Sequence, residues 1–174
     1  MKARFLLISA AALTISVPAH ATVYLSIEQA QALMFPGETL TPYPVTLTDA
    51  QVSAIEDASD TDVRNKELKV WRASGGGWFI IDQVVGKHEF IPIALALDAN
   101  GAVKDIEILE YRESYGDEVR NPKWRAQFDG KTSHSTVKLT EDIQNISGAT
   151  LSSKHITDGV RRLLATYAIA LTNH

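Results

Sequence analysis

Thr150 is the residue in this sequence best placed to do chemistry. It follows Ser147, Gly148 and Ala149 and precedes Leu151, Ser152 and Ser153. Beyond it, Ile156, Val160, Leu163, Leu164, Tyr167 and Leu171 recur at helical spacing, so a turn of small residues opens a long amphipathic helix. The first amides of such a helix lack internal partners and its dipole is positive there, so an anion such as a phosphate beside Thr150 is stabilised. Gly148 and Ala149 leave room for another molecule to reach the Thr150 hydroxyl, and Ser147, Ser152 and Ser153 add hydroxyls close by. Serine and threonine ahead of a helix are also common N-caps, and on spacing alone that structural reading comes first.

Other candidates carry less. His88, His134, His155 and His174 show no metal-ligand spacing, so no metal site is expected. A hydrolase built on Thr150 and His155 fails on geometry, because five residues along a helix turn the imidazole more than a quarter turn away. Gly75-Gly76-Gly77 lacks the lysine and hydroxyl residue of a phosphate loop and leads into a strand, so it reads as a hairpin turn. Lys154, Arg161 and Arg162 read as solvated helix residues. With no cysteine in the chain, thiolate metal sites, iron-sulfur clusters and thiol nucleophiles drop out, and redox chemistry requires an organic cofactor.

Ser-Gly-Ala-Thr followed by Leu-Ser-Ser and an amphipathic helix resembles the flavinylation motif of the FMN-binding domain family. That family includes a subunit of the sodium-translocating NADH:quinone oxidoreductase and a subunit of the Rnf complex. Upstream and in the family's order, Glu113-Ser114-Tyr115-Gly116 is similar to its Glu-Thr-Pro-Gly turn, and Trp124, Gln127, Phe128 and Gly130 to its Trp-x-x-Gln-Phe-x-Gly segment. The resemblance covers roughly residues 75 to 172. It implies covalent FMN, joined to Thr150 through a phosphoester by a flavin transferase that uses FAD. It also implies that Ser147, Gly148, Ala149, Leu151 and Ser152 surround the phosphate, and that Glu113, Tyr115, Gly116 and Trp124 approach the cofactor, with Trp124, Tyr115 and Phe128 against the ring. Two positions depart from the family pattern: Gln144 replaces the acid usual six residues before the threonine, with Asp142 two residues earlier, and Tyr115 replaces the proline of the turn.

The elements that must hold these residues are legible in part. Ser26 with Gln29 and Thr48 with Gln51 are capping-box pairs that predict short helices over 26–35 and 49–58. Leu68 to Trp71 and Trp78 to Val85 predict two strands around the glycine turn. Phe90–Leu97 and Val103–Leu109, joined by Asp98-Ala99-Asn100-Gly101, predict a hairpin with one buried face. Asn121-Pro122 opens a short helix to Phe128, and 136–139 reads as a short strand. The fold expected is α+β: a mostly antiparallel sheet with short N-terminal helices and a long C-terminal amphipathic helix.

Lys2 and Arg4 before the apolar run Phe5–Val17, then Pro18-Ala19-His20-Ala21, read as a signal peptide over 1–21. Residues 22–74 then form an N-terminal helical extension and 75–174 the FMN-binding domain. The chain carries 17 basic and 21 acidic residues for a net charge of -4, and loss of Lys2 and Arg4 with the leader makes it -6. That balance disfavours nucleic-acid binding. The expectation is an exported, periplasmic flavoprotein that relays electrons between redox partners, one of them a membrane or periplasmic redox protein. The alternatives are a flavin-dependent reductase of a small acceptor and a cofactor-free exported binding module.

Overall fold

The computed structural model describes residues 22–172; the expected leader over 1–21 lies outside the described residues. The chain runs β1 (Thr22–Val23), α1 (Ile27–Met34), β2 (Leu40–Pro42), β3 (Val45–Thr46), α2 (Asp49–Ser59), β4 (Glu67–Ala73), β5 (Trp78–Val85), β6 (Phe90–Leu97), β7 (Val103–Ile108) and β8 (Glu110–Tyr111). A 3-10 turn (Asp117–Arg120), α3 (Pro122–Arg125), a second 3-10 turn (Ala126–Phe128), α4 (Thr150–Thr166) and a π-helical turn (Tyr167–Leu171) complete it. The expected α+β class is observed.

Both capping boxes form as the sequence requires. The Ser26 and Thr48 hydroxyls accept from the amides of Gln29 and Gln51, whose side chains accept from the cap amides in return. The main sheet is antiparallel, in the order β2-β4-β5-β6-β7, with β3 also paired to β4; β1 pairs with β8 separately. Residues 22–74 are part of this body, since β4 pairs along β5 and α1 packs on the sheet.

β6 is buried on both faces, where one buried face was expected. Ile91, Ile93, Leu95 and Leu97 point into the core under α4, while Ala94 and Ala96 lie in the cluster with Ala30, Met34 and Phe35 of the α1 segment. The small alanines let a helix approach that second face, which accounts for the unbroken apolar run in the sequence. The central sheet is therefore sandwiched between α4 and α1.

α4 sits close on the sheet at Gly159. A Cβ there would lie 2.3 Å from Val84 Cγ1 on β5. Gly159→Ala is expected to cost about 1–3 kcal/mol by overpacking, despite the better helix propensity of alanine, and urea unfolding checks this.

Two further expectations fail. Residues 136–139 do not form a strand; an isolated bridge joins Leu139 to Ile143, and Val137 and Thr140 adopt positive φ of 41° and 68°. Asp142 holds that loop, accepting from the amides of Val137 (3.1 Å) and Lys138 (2.7 Å) and pairing with Lys131 (2.8 Å). Tertiary hydrogen bonds thus override the local β propensity of the loop. Nor are Arg161 and Arg162 solvated. Arg162 is 5% exposed and bonds Asp82 at 2.6 Å and the Asp62 carbonyl at 2.9 Å, while Arg161 donates to the carbonyls of Ser59 and Val137. These contacts fasten α4 to α2 and to the loop before it.

Burial pushes the Asp142 carboxyl upward, but the Lys131 ammonium and the two backbone amides outweigh it and hold its pKa below the ordinary aspartate value. A depressed pKa stabilises the fold above the unfolded-state value near 4 and ceases to do so as pH falls through the folded value. The stability gap between wild type and Asp142→Asn in urea unfolding is therefore expected to narrow as pH drops from 6 to about 3. A gap constant with pH contradicts this role.

Candidate functional site

Thr150 is the first residue of α4 and is exposed, but it is not the cap. The N-cap is Ala149, which has no side chain to offer, and no side-chain hydrogen bond caps the helix. The first i to i−4 bond runs from Ser153 N to Ala149 O at 2.9 Å. The amides of Thr150, Leu151 and Ser152 are thus left without an acceptor among the described residues, at the positive end of a 17-residue helix. Gly148 faces open space, since a Cβ there would meet nothing within 4 Å. The Thr150 Oγ1 accepts one hydrogen bond, from Asn145 Nδ2 at 3.0 Å. The arrangement offers an exposed hydroxyl beside free backbone donors, which is what an esterified phosphate needs.

The serines divide. Ser147 is exposed on the turn. Ser152 is 5% exposed and its hydroxyl is hydrogen-bonded to the Tyr111 hydroxyl at 2.8 Å, so only its backbone amide remains for a ligand. Ser153 is wholly buried. Ala149 is also buried, and Leu151 is 48% exposed next to Thr150. Lys154 pairs with Asp158 at 2.6 Å, one turn further along α4.

Trp124 is among the residues expected to border a flavin ring. It is 5% exposed, packed edge-on against the fully buried Phe128 with centroids 5.3 Å apart. Its indole Nε1 donates to the Gln144 carbonyl at 2.7 Å, and the Gln144 amide donates to Gln127 Oε1 at 2.8 Å. Gln127 Nε2 closes the set on the Trp124 carbonyl at 3.0 Å. The Trp-x-x-Gln-Phe segment therefore clamps both polar groups of residue 144, six residues before Thr150. α3 is itself fixed to β7 by Arg125, which pairs with Glu107 at 2.6 Å. Trp124 and Phe128 position the loop that presents Thr150, and their rings belong to the core.

The Glu113–Gly116 turn lies against the head of α4. The Tyr111 hydroxyl is bonded both to Ser152 and to the Tyr115 carbonyl, the latter at 2.7 Å. Burial pushes the pKa of this phenol upward, with the Ser152 hydrogen bond acting against it, so it stays a neutral donor. Gly116 has φ of +100°, and a Cβ on it would lie 2.5 Å from the Tyr111 hydroxyl and 2.7 Å from Ser152 Oγ. Only glycine fits there. Glu113 reaches away from its own turn: its Oε1 accepts from the amides of His88 (2.5 Å) and Glu89 (2.9 Å) in the β5–β6 connection. Burial raises its pKa, but these amides and that of Lys87 outweigh the burial and leave it below the ordinary glutamate value. The turn thus joins the β5–β6 hairpin to the first turn of α4. Each of the three elements carries an exposed apolar residue: Phe90 at 44%, Tyr115 at 86% and Leu151 at 48%.

Sequence reasoning missed Asn145 and Tyr111. Tyr111 carried no signal beyond its place after a strand. Asn145 is a short amide five residues before a helix start, a spacing that marks no standard cap.

Among the described residues no helix is long and apolar enough to cross a membrane. The family model described as FMN-binding domain matches residues 86–165, from the β5–β6 connection to the last turn of α4. No curated protein matches the chain.

Proposed function

We propose that this protein, whose residues 86–165 match the family model described as FMN-binding domain, carries FMN as a phosphoester on Thr150 and relays electrons between redox partners outside the cytoplasm. One observation carries the reading: within that domain, Thr150 is exposed as the first residue of a helix without a side-chain cap, with its hydroxyl beside three unpaired amides. Neutral donors and a helix dipole favour a phosphodiester there without a lysine or arginine. Ser147 and the open side of Gly148 leave access for a modifying enzyme.

The cofactor supplies the redox chemistry, which a chain without cysteine or metal thiolates does not provide. The protein tethers, orients and sets the surroundings. Tyr115, Leu151 and Phe90 offer exposed apolar surface on the three elements that meet at the tether. Trp124 and Gln127 hold the loop from behind. Clefts of about 600 and 550 Å³ open elsewhere, one between α2 and the 132–138 loop and the other beside β4 and β5, and neither is lined by Thr150 or Tyr115. In this reading the protein is a carrier whose cofactor meets other proteins at the surface; a reductase would need its own substrate pocket beside the ring.

The apolar segment after Lys2 and Arg4 supports export. A covalent tether keeps a flavin from diffusing away in such a compartment. A flavin transferase using FAD and a membrane or periplasmic redox protein are the partners this reading requires. The test is to coproduce the protein with the transferase, unfold it in guanidinium chloride and pass it over a sizing column. Flavin absorbance is expected to stay with the polypeptide, and its appearance among small molecules contradicts the tether.

A further inference from the structure

We infer that Asn145 is the positioning residue for modification of Thr150, a role that rests on the reading of Thr150 as the flavin-bearing residue. The Asn145 amide donates to the Thr150 hydroxyl oxygen across five residues, spanning a turn closed by Ala149 N to Ile146 O at 3.0 Å. Its backbone follows Gln144, whose amide and carbonyl are held by Gln127 and Trp124. The reach of its side chain is therefore set by that clamp, although Asn145 and Thr150 are both exposed.

A threonine hydroxyl has two lone pairs and one proton. Donation from Asn145 occupies one lone pair and fixes the rotation of the hydroxyl. The other lone pair is left to form the bond to phosphorus, and the proton faces away from the amide. In the transfer, the Thr150 oxygen bonds to the flavin-side phosphorus of FAD as the pyrophosphate P–O bond breaks. AMP leaves with that electron pair, and the hydroxyl proton passes to a base of the transferase. No electrons change hands in this step. Asn145 keeps a donor for the ester oxygen in the product, so it assists formation of the bond without being consumed.

Aspartate at the same position has the same size but can only accept. It would accept a hydrogen bond from the Thr150 hydroxyl in place of donating one, and set a negative charge beside the incoming phosphate. The experiment measures initial rates of modification by intact mass, with purified transferase and FAD, for wild type, Asn145→Ala and Asn145→Asp. Expected are a kcat about tenfold lower for Asn145→Ala, the loss of one hydrogen bond to the reacting oxygen, and at least that for Asn145→Asp. KM for the protein substrate should stay unchanged and melting temperatures within about 2 °C of wild type. A residue that merely braced the turn would lower the melting temperature or raise KM instead, and either result without a fall in kcat overturns the inference. So does modification of both variants at the wild-type rate. A wild-type protein that stays unmodified at Thr150 overturns the underlying reading, and the inference with it.

Discussion

Thr150→Ala is expected to yield a folded protein with no flavin attached. The residue occupies the first position of α4, its side chain is exposed, and the hydrogen bond from Asn145 is an exposed one. Because Ala149 is the cap and contributes only backbone, the substitution removes no capping interaction. Alanine also has the higher helix propensity, so the net change in stability should stay within about 0.5 kcal/mol. A cap threonine would instead have cost about 1 kcal/mol. Urea unfolding of the unmodified proteins measures this term, and intact mass after coproduction with the transferase measures the adduct. Loss of the adduct with an unchanged unfolding midpoint is the expected pair of results. Retention of the flavin would move the attachment point elsewhere, and a large drop in stability would make Thr150 a structural residue.

Trp124→Ala should be among the most damaging single substitutions to stability, at about 3–5 kcal/mol. The indole is buried beside Phe128, which is fully buried, so the surroundings cannot collapse around the space without moving core residues. The substitution also strips the Gln144 carbonyl of its donor. Trp124→Phe shifts the balance between the two effects, since it keeps a six-membered ring in the core and removes the N–H together with the rest of the pyrrole ring. It should cost about 2 kcal/mol, through the lost hydrogen bond and a smaller cavity than alanine leaves, and free one end of the clamp. Modification of Thr150 is then expected to slow in the phenylalanine variant at temperatures where it remains fully folded. A cost under about 1 kcal/mol for Trp124→Ala in urea unfolding contradicts the placement of this side chain in the core. An unchanged modification rate in Trp124→Phe contradicts the clamp.

The parts of the fold that local chemistry determines were readable in the sequence. The two capping boxes, the Asp98–Gly101 turn and the apolar stripe of α4 each depend on residues within a few positions of one another, and each formed where expected. What sequence could not supply was the identity of distant neighbours. Ala94 and Ala96 are buried because α1 returns to cover them, and Arg162 is buried because Asp82 and Asp62 meet it from 80 and 100 residues away. Residues 136–139 have β-forming side chains, yet Asp142 and Arg161 hold that backbone in a loop. At the site, motif likeness brought out Thr150, Gly116, Trp124 and Gln127, but not their division of labour. Tyr111, Trp124 and Gln127 act from behind the surface through hydrogen bonds to Ser152 and Gln144, and such bonds leave no periodicity to read.

The central claim is tested most directly by locating the flavin on the chain. Cleavage with trypsin after Lys138 and Lys154 leaves residues 139–154 as one peptide, holding Thr140, Ser147, Thr150, Ser152 and Ser153 as hydroxyl residues. Fragmentation of that peptide, from protein exposed to an FAD-using transferase, is predicted to place one FMN phosphoester on Thr150. The unmodified peptide, or a flavin on any other residue, would contradict the account.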